Sequence, residues 1–527
     1  MCTLAEPSAL PPAEAAPWWD PRAHPCIPVV TTGGRTESRT LLQVFRSADE
    51  DIKTLAGSTP GETVALFEFL MAICYASKSN PPVPERWLDA VESQQPFDLA
   101  VKWLEDEPDD SWNLFHPTAP LGQNSLLAPF MGKHGVGPAQ LVLEHVGDYN
   151  QFFDHHHLAH AQPLTAERAF RAMLTQHAYG LSGRARISGK ATLGDTITNL
   201  ATGRLGARIR VIALGETLGD TLRLNLAPAA RRGTFNHTWT VSSLPRRGFA
   251  AKPDGRPVDG PADLHSVLGR SILLHPCALA NGETGVDRVL VGAGELLAPL
   301  PDSLVQDVVY AGTGPNAKPL APSPARALWR EAHALYAAVA DRGKRLDLYH
   351  RLATLAERPV SLWAVGLIAN KTAPLSWLAD TFPYRPGREE DLRHAAHTGS
   401  QIAEYVAASL WKAAFAAWRV AYPNPKPADK KLQMARFDAR PEHWAATEQP
   451  FHILLDKVVA GACLAESLQA YGETLAESAT TFLERRLDSL PTNARGFQAR
   501  ADALRTLASE LQKPKAPDQL KSKEKRP

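Results

Sequence analysis

The chain has 527 residues, 44% of them hydrophobic and 21% charged, with 57 Lys and Arg against 56 Asp and Glu. That length predicts about two or three domains with a real core. The formal charge of +1 argues against binding nucleic acid through a uniformly basic surface, so any such contact must be local or shared with partners. The five cysteines, at 2, 26, 74, 277 and 463, form no CxxC pair, which argues against a cysteine zinc site or a disulfide framework and fits a reducing, cytoplasmic setting. No basic-then-apolar leader and no apolar run of about 18 residues is present, so neither a signal peptide nor a membrane span is expected.

Taken in chain order, residues 1–16 are rich in Ala and Pro and are expected to be disordered. Pro17 to Val30 reads as an extended entry with β character. Pro60 to Ser77 predicts a helix, with Val64, Phe67, Met71 and Cys74 at helical spacing, and Glu85 to Glu105 predicts another. The run GDYNQFFDHHHLAH, residues 147–160, is polar but carries two phenylalanines and four histidines. A helical segment, TAERAFRAMLTQHAYGL, leads from it into SGRARISGKATLGDTITNLATGRLG, where glycines alternate with Arg184, Arg186, Lys190 and Arg204. Glycine lets a backbone approach another molecule closely, and interleaved cations suit a polyanion. This stretch therefore predicts a loop that touches a phosphate backbone.

From Arg208 the pattern changes to a strand, RIRVIAL, and a helical segment, with further strands at 270–274 and 288–299. Residues 324–342 predict a helix with proline at its start. VSLWAVGLIANKTAPLSWLADTFPY predicts strand, loop and strand. From 389 to 512 the periodicity is helical, with faces at Ile402, Val406, Leu410, Ala413, Ala417 and Val420; at Phe451, Leu455, Val458, Ala462 and Ala465; and at Phe497, Ala501, Leu504, Ala508 and Leu511. The expected fold class is α+β: a disordered N-terminus (1–16), a mixed large domain with short sheets and helices (17–388), an antiparallel four-helix bundle (389–512) and a disordered basic tail (513–527).

Chemistry-bearing constellations are few. Asp154, His155, His156, His157 and His160 are the one obvious metal candidate, with His156 and His160 on one helical face. No HExxH, GxSxG elbow or GxxxxGK[ST] loop occurs. The residues thus favour a binding or assembly protein, without cofactor or metal, over an enzyme. A metal-dependent hydrolase using Asp154, His156 and His160, or a helical scaffold, remains as an alternative at this stage.

Several segments in order resemble the CasA family, the large subunit of the type I-E CRISPR Cascade complex. They are PWWDPRAHPCIPVV, WNLFHPTAPLGQN, NQFFDHHH, QHAYGLSGRARISGK, LGETLGDTLRLNL, DGPADLHSVLGRSILL, ALWREAHAL and VGLIANKTAPLSWLADTFPY. The resemblance implies a non-catalytic subunit that reads the protospacer-adjacent motif in duplex DNA, aids strand separation and recruits a helicase-nuclease. Its implied partners are the other Cascade subunits, crRNA and double-stranded target DNA.

The resemblance also assigns residues to roles. A glycine loop for DNA contact would comprise Gly180, Ser182, Gly183, Arg184, Arg186, Gly189 and Lys190, with Ser182-Gly183-Arg184 where the family commonly has three glycines. A wedge would comprise Asn370, Lys371 and Thr372, with Lys371 where glutamine is expected. Asn150, Phe152, Phe153 and His155 would contact crRNA and neighbouring subunits. Some members carry zinc-type cysteine pairs; this chain has none, and no zinc is expected.

Overall fold

A computed structural model of the chain describes residues 17–145, 162–184, 199–200, 202–239, 255–301, 304, 309–311, 318–323, 327–340, 347–356, 358–370, 373–424 and 426–521. In chain order these form β1 (Ile27–Thr31), β2 (Thr36–Arg39), α1 (Leu41–Ser47), β3 (Ile52–Leu55), α2 (Pro60–Ala76), α3 (Trp87–Glu92), α4 (Asp98–Asp106), α5 (Asp109–Trp112), α6 (Ala128–His134), β4 (Leu164–Thr165) and α7 (Ala166–Tyr179). Next come β5 (Gly183–Arg184), β6 (Asn199–Leu200), β7 (Arg210–Leu214), α8 (Leu218–Asn225), α9 (Pro261–His265), β8 (Arg270–Ala278), β9 (Thr284–Ala293), β10 (Tyr310–Ala311) and β11 (Lys318–Pro319). The chain ends through α10 (Ala332–Ala340), α11 (Leu348–Leu352), β12 (Val360–Asn370), β13 (Ala373–Tyr384), α12 (Glu389–Ala421), α13 (Lys430–Ala435), α14 (Arg440–Val459), α15 (Leu464–Leu487) and α16 (Ala494–Leu511). The fold is α+β, as expected, with small antiparallel sheets among helices first and a helical region last. Among the described residues no helix is long and apolar enough to cross a membrane.

The chain divides into two compact units, one of residues 1–325, 343–355 and 361–381, the other of residues 326–342, 356–360 and 382–527. The first unit is organised around α2. Thr59 caps this helix by accepting the Glu62 N–H at 3.2 Å, and Pro60 occupies its first turn. Its residues are buried from Val64 to Tyr75 without a polar face, the signature of a helix enclosed on all sides. Phe69 packs edge-on against Trp112, Phe170 and Phe235, so α2, α5 and α7 share one aromatic core. Three-stranded sheets with orders β2-β1-β3, β4-β9-β8 and β13-β12-β7 surround it. Helix 85–105 was expected to be continuous but is two helices, α3 and α4, because Gln94 adopts φ 49° and Pro96 follows.

The second unit rests on the 33-residue α12. Its buried stripe is mostly small: Ala395, Ala396, Gly399, Ala403, Ala407, Ala413, Ala414 and Ala417 alternate with Leu392, Ile402, Val406 and Leu410. Helices α14, α15 and α16 each present an apolar stripe of their own. For α16 the expected face is displaced. Ala499, Ala503, Leu507 and Leu511 are buried, whereas Phe497 is 63% exposed and Ala501 and Ala508 face solvent. Small residues against the alanine stripe of α12 allow a closer approach than the larger side chains would. On α14 the face ends at Val458, since the helix stops at Val459 and leaves Ala462 exposed. The described chain also runs past the expected limit at 512, with Ala516 and Leu520 buried.

Candidate nucleic-acid interface

The basic glycine segment lies in the chain between α7 and β7. Thr165 caps α7 at its start, and Gly180 ends it with ψ 134°. Gly180 is required by close approach, because a Cβ there would lie 2.5 Å from Arg270 Nε. The two stems are then stitched together. Gly203 N–H donates to Gly180 O at 2.7 Å and Leu205 N–H to Ala178 O at 2.9 Å. Further out, Gly183 pairs with Leu200 and Arg184 with Asn199 across an antiparallel β5–β6 ladder. Of the candidate loop, Gly180, Ser182, Gly183 and the Arg184 backbone belong to this neck, and Ser182 is exposed. Arg186, Gly189 and Lys190 lie outside the described residues.

Beneath the neck sits a buried polar scaffold that the sequence reading missed. The Arg270 guanidinium is 1% exposed and donates to Leu181 O at 2.7 Å and Gly269 O at 2.8 Å. Burial lowers its pKa to about 10, which leaves it charged near neutral pH. Its own N–H donates to His177 Nδ1 at 3.2 Å, while His177 Nε2 lies 2.9 Å from Gly122 O, so the proton of a neutral ring belongs on Nε2. Glu68, the single acid in the buried stretch of α2, pairs with Arg204, with Arg210 Nε at 2.8 Å and with His265 Nδ1 at 2.6 Å. Arg204 is therefore turned inward, with a side chain 7% exposed, and is not available to a polyanion as its spacing had suggested. The available signal was Glu68 itself, since a lone carboxylate in the apolar run ALFEFLM needs buried partners.

The second candidate element is the β12–β13 arm. β12 pairs antiparallel with β7 from Val365↔Arg210 to Ser361↔Leu214, and Leu362, Ala364, Val365, Leu367 and Ile368 are buried. Asn370 ends β12 and is exposed, while Lys371 and Thr372 lie outside the described residues. On β13, Trp377 meets the Tyr179 ring edge-on at 4.8 Å and donates from Nε1 to Glu144 Oε1 at 2.7 Å.

Asn150, Phe152, Phe153 and His155, with Asp154, His156 and His160 of the metal alternative, all lie outside the described residues. The motif preceding them, WNLFHPTAPLGQN, is structural. Gln123 donates to Leu114 O at 2.6 Å and accepts the Leu274 N–H at 2.8 Å, and Asn124 Nδ2 donates to Ser271 Oγ at 2.7 Å. These bonds hold the segment to β8.

Comparison with known proteins agrees with this architecture. The family described as CRISPR-associated protein Cse1 matches residues 23–482. The fold is similar to that of CasA (Cse1) from Thermus thermophilus, at 19% identity and a TM-score of 0.74 over 94% of this chain and 99% of that one. It is similar to Cse1 from Acidimicrobium ferrooxidans at 20% identity, with a TM-score of 0.70 over 94% of this chain and 98% of the other. A chain of a CRISPR RNA-guided surveillance complex aligns at 19% identity and a TM-score of 0.68, covering 93% of this chain and 99% of its own length. Among curated proteins, none matches the chain.

Proposed function

Because the chain belongs to the Cse1/CasA family, the large subunit of type I-E Cascade, we propose that it recognises the protospacer-adjacent motif in duplex DNA, aids the first strand separation and recruits the helicase-nuclease, without catalysing a reaction itself. The observation that carries this reading is the neck formed by Gly180–Arg184 and Asn199–Leu205. The described stems that flank the basic, glycine-bearing segment pair with one another above a buried ionic scaffold. In guide-directed recognition most of the sequence is read by base pairing, and protein reads only a short motif and duplex shape. The minor groove offers a degenerate pattern of acceptors, which suits a close backbone and a few polar side chains. In this role Ser182, Gly183, Arg184, Arg186, Gly189 and Lys190 meet the groove and flanking phosphates.

Asn370, Lys371 and Thr372 act as the wedge in the same reading. Opening a step means offsetting an unstacking cost of a few kcal/mol, which calls for a tip on a stiff base, and the buried β12 supplies one. Lys371 offers donors only, whereas the glutamine expected there would also accept, so its reach is to groove acceptors or a phosphate. Asn150, Phe152, Phe153 and His155 contact crRNA and the neighbouring subunits, where aromatic rings stack on exposed bases or fill a partner's pocket.

The test is duplex binding by the assembled complex as a function of salt. Replacing both Arg184 and Arg186 by Gln is expected to reduce the slope of log K against log salt by roughly 1.8, two phosphate contacts' worth. Replacement by Glu is expected to weaken binding further. Unchanged slope and affinity in both variants at low salt would remove the loop from the interface.

A further inference from the structure

We infer that Trp377 is a positioning residue that joins the roots of three separate segments, the glycine loop, the wedge arm and the Asn150–His155 segment, into one mechanical unit. The inference rests on the function proposed above, since it concerns how those segments are held relative to one another.

Three contacts of the arm carry it, two to the roots of the other segments and one to α2. Trp377 lies on β13, seven positions after Asn370 at the end of β12. Its ring meets Tyr179 at 87° and 4.8 Å, and Tyr179 is the last residue of α7 before Gly180 opens the glycine-loop neck. Its Nε1–H donates to Glu144 at 2.7 Å, and Glu144 sits in the 3-10 turn Leu143–His145, the last described element before Asn150. The floor under the indole is Gly61 in the first turn of α2: a Cβ there would overlap the Trp377 ring. Only glycine lets the ring seat against that helix, and α2 is the enclosed centre of the unit. The indole is thus held from below by an enclosed helix and from two sides by the roots of the other segments. Two residues nearer the tip, Leu375 is 51% exposed.

A rigid aromatic with one polar handle suits this task. It brings a directional ring contact and a hydrogen bond to a carboxylate, and it has only two side-chain torsions to fix. The arm cannot tilt about its base without parting Trp377 from Tyr179 or Glu144. Conversely, a shift of the glycine-loop neck is felt at the arm through Tyr179. Force on the tip during strand separation is therefore taken up by α2 and α7 rather than by bending of the two-stranded arm.

The experiment compares assembled complexes carrying Trp377→Ala, Trp377→Phe, Glu144→Gln, or the tip pair Asn370→Ala with Lys371→Ala. Docking affinity and R-loop formation are measured on closed duplex and on DNA with a pre-opened bubble, with amide hydrogen exchange on each free subunit. Trp377→Ala is expected to slow R-loop formation on closed duplex at least about tenfold, since it loses one aromatic contact and one charge-assisted hydrogen bond. Recovery is expected on the bubble, with docking little changed. Exchange should accelerate at residues 140–145, 178–184 and 203–206, but not in the centre of α2. Trp377→Phe keeps the ring contact and should fall between parent and Ala, and Glu144→Gln keeps an acceptor and should stay near the parent. Equal loss on duplex and bubble with faster exchange throughout α2 would reduce Trp377 to a scaffold residue and overturn the inference. So would a Trp377→Ala complex that matches the parent on closed duplex while the tip pair fails. If the tip pair itself matches the parent, the wedge reading falls and exchange decides alone: acceleration at the three roots sustains the junction, and acceleration confined to β13 overturns it.

Discussion

The two units of the chain are held together in different ways. In the first, charged groups meet in the interior: Glu68 with the distant Arg204, Arg210 and His265, and Arg256 with Asp263 at 2.6 Å and Glu295 at 2.8 Å. In the helical unit the ion pairs sit nearer solvent, as Arg505–Asp502 at 2.9 Å and Arg500–Asp488 at 2.7 Å, and the interior is a stripe of alanines and leucines. An apolar stripe sets which faces meet but tolerates repacking. A buried ionic cluster has few acceptable geometries, because each charge must find its partner. The contrast teaches that the unit carrying the candidate loops has its loop roots pinned by polar groups, whereas the helical unit relies mainly on surfaces that fit.

The sharpest way to break this comparison is to remove one buried charge. Glu68→Gln removes the buried carboxylate that Arg204, Arg210 and His265 share and is expected to destabilise the first unit by about 3–5 kcal/mol. Arg505→Ala in the helical unit is expected to cost less than about 1 kcal/mol. Denaturant unfolding of the two variants measures both, and similar losses would erase the distinction.

A second test uses acid. His237 lies among Trp103, Trp112 and Phe235. Burial, with a smaller contribution from Arg22, lowers its pKa from 6.5 to about 4. Glu107 approaches its Nε2 at 3.5 Å, but a neutral ring makes this a contact rather than an ion pair, and burial raises the Glu107 pKa as well. The unfolded chain takes up a proton below pH 6.5 that the folded chain refuses until about pH 4. Stability is therefore full above pH 6.5 and falls as pH drops through that window, by at most about 1.4 kcal/mol per pH unit from this group. His237→Gln is expected to flatten that part of a melting-temperature profile, and an unchanged profile would mean the ring takes up its proton as readily in the fold as in the unfolded chain.

The smallest effects sharpen the helical side. Ala503→Leu inserts volume into the close contact of α16 and is expected to cost about 1–3 kcal/mol. Phe497→Ala, at an exposed site on the same helix, is expected to stay within about 0.5 kcal/mol of the parent. Thermal melts that ranked these two the other way would restore the face read from periodicity.

What the sequence determined by itself was local. The helical spacing of Val64, Phe67, Met71 and Cys74 placed a helix at Pro60–Ser77, one residue longer than the one that forms. Apolar runs flanking a short polar tip placed β12 and β13, and repeated apolar spacing placed the long helices of the second unit. These elements are legible because they depend on neighbours within a turn or two, where periodicity and capping act. The glycine-loop roots were legible to the same extent, as a change from helix to glycines and cations. The tertiary structure alone decided which face of α16 is inward, that Arg204 serves Glu68 rather than solvent, and that Trp377 touches both Tyr179 and Glu144. Each of these turns on a partner between about 100 and 230 residues away. No local pattern encodes such a partner, since burial and pairing follow from how elements distant in the chain stack around one core.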